Sequence, residues 1–136
     1  MRLKAYEVNR LKTLFIILMS AMVHCSEEAM VDSQPAVLLP ATRIKEVALG
    51  NGSASFTISC VAPNPCYGFD RLEKAVKGTE MTIKIYGKRT TNDPCIQVVS
   101  NIDVTADLKM PKPGSYRVKF FGKNGATVDT TVVMKW

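Results

Sequence analysis

The chain has 136 residues, with 18 basic and 12 acidic side chains, one histidine and four cysteines. That is enough for one domain with a core of its own and gives no sign of a second. The formal charge of +6 is no nucleic-acid signature: Arg2, Lys4, Arg10 and Lys12 against Glu7 supply half of it, and residues 26–136 carry only +3.

Residues 1–12 are basic, Thr13–Val23 reads "TLFIILMSAMV", and a short small-residue region ends at Cys25. The apolar run is about half the ~20 residues a bilayer-spanning helix needs. Residues 1–25 are therefore expected to be a secretory signal peptide, and a buried N-terminal helix is the rival. "MVHCSEE", Met22 to Glu28, resembles the box of bacterial lipoproteins, in which the cysteine is acylated and becomes the new N-terminus. It departs from that pattern at His24, where a small residue is expected, and at Met22, where leucine is commoner. The resemblance implies lipidation at Cys25 and a membrane contact through the anchor. Ordinary cleavage after Cys25 is the other route, and either one places the protein in the cell envelope or outside it.

His24 is the only histidine and lies in this leader. The processed chain thus has no imidazole for Ser-His-Asp or Cys-His catalysis or for zinc ligation. No catalytic residue, metal or cofactor is expected. Asp103 and Asp107 are the pair to weigh for carboxylate chemistry on a glycan. Four apart on a strand they share a face at about 13 Å, which suits solvated surface better.

Residues 26–42, "SEEAMVDSQPAVLLPAT", hold two prolines and three acids and are expected to be a linker, with "AVLL" as an alternative edge strand. From residue 43 to 136 short β-branched and aromatic runs alternate with turn signals. "TRIKEVAL", Gly50-Asn51-Gly52 and "SASFTISCV" predict a hairpin, with Phe56, Ile58 and Cys60 on one face. Asn51-Gly52-Ser53 also matches a glycosylation acceptor, though the turn already accounts for it. "DRLEKAVKG", Asp70 to Gly78, reads as a strand turning into the next, against a short helix capped by Asp70 and Glu73. "EMTIKIYGKR" directs Met81, Ile83 and Ile85 inward. "CIQVVSNIDVTADLKM" is one bent strand or two, and "SYRVKFF" and "ATVDTTVVMKW" pair across Asn124-Gly125. The total is about seven strands in an antiparallel, all-β sandwich.

"KPGSYRVKF", Lys112 to Phe120, resembles the segment that opens a late strand in extracellular immunoglobulin-like and related bacterial β-sandwich domains. The rhythm of residues 43–136 agrees, and the resemblance implies that the Tyr116 hydroxyl bonds back to the preceding corner, with plain core packing as the alternative.

Cys66 and Cys95 each sit where a proline-bearing loop meets a strand, so a disulfide between them is the first choice in an oxidising compartment. Cys60 is then a buried thiol. Three thiols without a Cys-x-x-Cys pair fall short of a closed zinc site. The loop Pro63, Asn64, Pro65, Cys66, Tyr67 to Phe69 is the candidate binding surface. Its "NPCYGF" resembles the asparagine-proline loop of chagasin-type cysteine protease inhibitors, with Cys66-Tyr67 in place of the threonine-rich continuation and no arginine-proline-tryptophan loop at 121–125. Lys84, Tyr86 and Lys88 form one outward stripe, and Arg117, Lys119 and Phe121 another, expected on opposite sheets. The expected function is a non-catalytic, envelope-associated or secreted binding or structural module. Its partner would be an envelope protein or polymer, not nucleic acid, and protease inhibition through residues 63–69 is the alternative.

Overall fold

The computed structural model describes residues 34–136. The expected leader, Cys25 and residues 26–33 of the expected linker lie outside the described residues. Eight strands follow in order: β1 Val37–Leu38, β2 Ala41–Leu49, β3 Ser53–Ala62, β4 Tyr67–Lys77, β5 Glu80–Arg89, β6 Ser100–Lys109, β7 Gly114–Phe121 and β8 Thr127–Met134. They form two sheets. The smaller runs β2-β3-β6, and in the larger β4 pairs with β5, whose other edge is shared by β1 and β7, with β8 beyond β7.

Period-two alternation places one apolar row from each sheet between the layers. Phe56, Ile58 and Cys60 of β3 and Val104, Ala106 and Leu108 of β6 are buried there. Met81, Ile83 and Ile85 of β5 and Tyr116, Val118 and Phe120 of β7 join them in a single core. The rings of Phe56 and Phe120 meet edge to face with centroids 5.4 Å apart, which ties the two layers at their centre. Each fully buried Val, Leu, Ile, Phe or Met side chain among them contributes about 1.5–3 kcal/mol by leaving water. The Asp70–Gly78 segment is strand, as its alternation and the following turn predict: β4 runs beside β5 from Tyr67↔Arg89 to Lys77↔Glu80, with a bulge at Asp70.

Three features differ from the sequence reading. The sandwich starts before residue 43: β1 lies on β5 through Val37↔Gly87 and Leu38↔Tyr86, and Leu39 is fully buried. Gly87 makes this possible, because a Cβ there would stand 2.6 Å from a Leu39 methyl and 2.7 Å from the Gly68 carbonyl oxygen. The second difference is in "CIQVVSNIDVTADLKM", where strand begins only at Ser100. The ladder of β3 with β6 ends at Ala62↔Ser100, and the next residue on β3's side is Pro63, which has no N–H to give.

The third difference is that one pairing is parallel: β5 and β7 run side by side through Glu80↔Arg117 and Ile83↔Phe120. The two outward stripes expected on opposite sheets therefore merge on one face. These registers also sort the loops. Pro63–Cys66, Thr90–Val99, the 3-10 turn Lys123–Gly125 and Gln34 gather at one end of the sandwich, and Gly50–Gly52, Lys77–Thr79, Met110–Pro113 and Lys135–Trp136 at the other.

Candidate functional site at the disulfide end

Cys66 and Cys95 form a disulfide, 29 residues apart in sequence, with Cα atoms 6.1 Å apart. The Thr90 N–H donates to the Cys66 carbonyl (2.8 Å), and the Thr90 hydroxyl does the same (3.0 Å). Arg89 donates to the carbonyls of Thr91 and Asp93, which holds the start of the 90–99 segment. Two proline-stiffened loops are thus fastened to each other and to the end of β5.

The expected loop residues divide by role. Asn64 is only 5% exposed; its Oδ1 accepts from the Cys66 N–H at 3.0 Å and lies 3.3 Å from Cys95 Sγ. It shapes the turn from inside. Tyr67 is half-buried and packs on the core. Pro63 and Pro65 are exposed, and Phe69 is 47% exposed at the start of β4.

The side chains that the sequence reading missed lie opposite. Ile96, Val98 and Val99 are 68%, 58% and 68% exposed in the stretch before β6, directly after Cys95. Such β-branched residues ordinarily fill cores, so three exposed within four positions form a patch to be explained. The available signal was Pro63 and Pro65 on the neighbouring segment, which deny residues 96–99 a ladder partner.

Asp103 and Asp107 sit four residues apart on the outer face of β6, and Lys45 holds Asp103 at 2.6 Å. That bond keeps the Asp103 carboxyl below the usual carboxylate range. Among the described residues no group of three or more His, Cys, Asp or Glu side chains is placed to hold a metal. Cys60 is buried in the core, and desolvation, with the Asp103 charge second, pushes its thiol up to about 12.

The merged basic stripes are largely neutralised in place. Lys119 reaches Glu80 at 2.8 Å, Arg117 reaches Asp129 at 2.6 Å, and Lys88 reaches Asp70 at 3.1 Å. Arg71 and Lys84 lie over the rings of Tyr86 and Phe121, at 4.5 and 5.2 Å from the centroids. The face is a network of ion pairs and stacked cations, with little free positive charge.

The family model of the ORF11 beta-sandwich domain matches residues 56–134, from the middle of β3 to the end of β8. The chain belongs to the ORF11 beta-sandwich domain family. No curated protein and no solved structure matches it. The span matched to the ORF11 beta-sandwich domain includes Cys66, Cys95 and the exposed 96–99 segment, while β1 and β2 precede it.

Proposed function

We propose that this ORF11 beta-sandwich domain is a non-catalytic binding module of the cell envelope, secreted or held there by a lipid on Cys25, and that it meets a protein partner through its disulfide end. The observation that carries the reading is the exposure of Ile96, Val98 and Val99 on a segment tied at its start by the Cys66–Cys95 disulfide and at its end by β6. An apolar segment held at both ends loses less conformational freedom on docking than a free loop, which favours a binding face. Two further facts support it. β1 enters the fold from this same end, and the apolar run Thr13–Val23 with the oxidisable pair Cys66 and Cys95 agrees with an extracytoplasmic address. The burial of Asn64 favours this reading over protease inhibition, because an asparagine-proline loop that enters a cleft has to present both residues.

The test is crosslinking on intact cells with the full chain and with Ile96→Ser, Val98→Thr and Val99→Thr combined. The expected result is a reproducible crosslinked partner that disappears in the variant while its melting temperature is kept. A partner retained by the variant, or none with either chain, removes the reading.

A further inference from the structure

Residues 34–136 carry 14 basic and eight acidic side chains, a net of +6, and the surplus is not spread evenly. Along the strands five of the seven acids are paired, Asp103 with Lys45, Asp70 with Lys88 and Arg71, Glu73 with Arg71, Glu80 with Lys119 and Asp129 with Arg117, and only Glu46 and Asp107 are not. At the end away from the disulfide the pattern changes. Lys77 closes β4 at the β4–β5 turn, Lys109 closes β6 opposite Ser53, Lys112 lies in the β6–β7 corner, and Lys135 follows β8, whose Met134 pairs with Gly114. All four are exposed, and none belongs to an ion pair among the described residues. Two carboxylates are near: Glu80, already held by Lys119, and Asp107, two residues before Lys109 on the same face of β6.

We propose that this lysine-capped end binds a linear phosphate-bearing polymer. The inference goes beyond the binding reading at the disulfide end and rests neither on that surface nor on the leader. The four ammonium groups sit on three separate segments, with Lys109 and Lys112 flanking one corner, so they are spread along this end of the sandwich rather than gathered around one point. A flexible chain with repeated charges can meet them one after another, and lysines suit that task because each is a mobile point charge without the fixed geometry of a guanidinium. Binding then draws its free energy from released counterions, at small desolvation cost because the lysines stay solvated. The chemistry also argues against a nucleic acid. Base stacking needs a row of aromatic rings, and among the described residues the only exposed ring at this end is Trp136.

Inorganic polyphosphate is the probe, titrated against the full chain by fluorescence anisotropy at 50 and 200 mM sodium chloride. Four phosphate contacts predict affinity about 50-fold weaker at the higher salt, from a log–log slope of roughly −0.7 per contact. Lys77→Gln, Lys109→Gln, Lys112→Gln and Lys135→Gln combined should lose binding by ten-fold or more and keep the wild-type melting curve. The charge-matched control is Arg43→Gln, Lys84→Gln, Lys88→Gln and Lys123→Gln, which should retain most of it. Equal loss in both variants would mean that net charge alone attracts the polymer, and would overturn the proposal. So would absence of binding at low salt, binding to phosphatidylglycerol vesicles but not to polyphosphate, or a single-stranded oligonucleotide that displaces polyphosphate when present at lower charge concentration.

Discussion

The hydroxyl of Tyr116 donates to the carbonyl of Lys112 at 2.8 Å while its ring is buried in the core, so one side chain fastens the β6–β7 corner and fills the space beneath it. Both sequence readings of Tyr116, the bond back to the corner and core packing, describe the same residue. The roles separate by mutation. Tyr116→Phe keeps the ring and should cost about 1 kcal/mol, the net worth of one hydrogen bond. Tyr116→Ala should cost about 3–5 kcal/mol by leaving a cavity. Urea unfolding of the two variants checks the difference, and equal losses would mean that the corner bond dominates.

The disulfide should matter more to the unfolded chain than to the native contacts. Closing a loop of 29 residues stabilises by roughly 3.6 kcal/mol in the chain-entropy model. Cys66→Ala with Cys95→Ala should lower the unfolding midpoint accordingly, with the strand content seen by circular dichroism retained. Because Thr90 still bonds to residue 66 through its backbone carbonyl, the 96–99 segment should loosen first, visible as faster amide exchange there.

Gly87 is a second fixed point. Gly87→Ala drives a methyl into Leu39 and the Gly68 carbonyl, and should destabilise by about 1–3 kcal/mol. Leu39→Ala in the same background should recover part of the loss by opening that space. Additive losses in thermal unfolding would show that the side chain of Leu39 is not what the new methyl meets.

The thiol of Cys60 should resist alkylating reagents at pH 8 in the native protein and react on unfolding. Its folded value stands at about 12, above the ordinary 9.0, so the folded state holds its proton after the unfolded chain has released it. Stability from this group is therefore complete below about pH 9 and falls as the pH rises from there towards 12. Cys60→Ala should flatten that alkaline decline, and a decline of unchanged steepness would assign it to other groups.

At the acid side the sign reverses. Asp70, Glu80 and Asp103 are held below their ordinary values, first by hydrogen bonds from Lys88, Lys119 and Lys45 respectively. Their contribution is present above the ordinary carboxylate range and is lost as pH falls through the lowered values. Lys45→Gln should return the Asp103 titration, followed by NMR, towards 3.8.

The sandwich was legible because β3, β5, β7 and β8 each alternate and each begin at or just after a glycine (Gly52, Gly78, Gly114 and Gly125), a pattern set by local chemistry. Cys66 and Cys95 were legible as a pair because their prolines mark loop-to-strand junctions. The identity of β5's neighbour was not: parallel and antiparallel partners make the same inward row, so the merging of the two basic stripes depends on long-range topology. Nor was the exposure of Ile96, Val98 and Val99, since what removes their ladder partner is Pro63 more than 30 positions away. The family match agrees with the sandwich.

The parallel contact of β5 with β7 also constrains the order in which the chain can assemble. Glu80 and Arg117 meet only after the intervening residues have crossed to the other sheet, laid β6 against β3 and returned. The β4–β5 and β7–β8 hairpins can each form early from near neighbours. Their junction must wait for the opposite layer, which places loop closure over a long stretch at the rate-limiting step and makes folding slow for the length. One layer cannot mature without the other, so residues 34–136 should fold as a single cooperative unit, with no stage at which the five-stranded sheet stands alone.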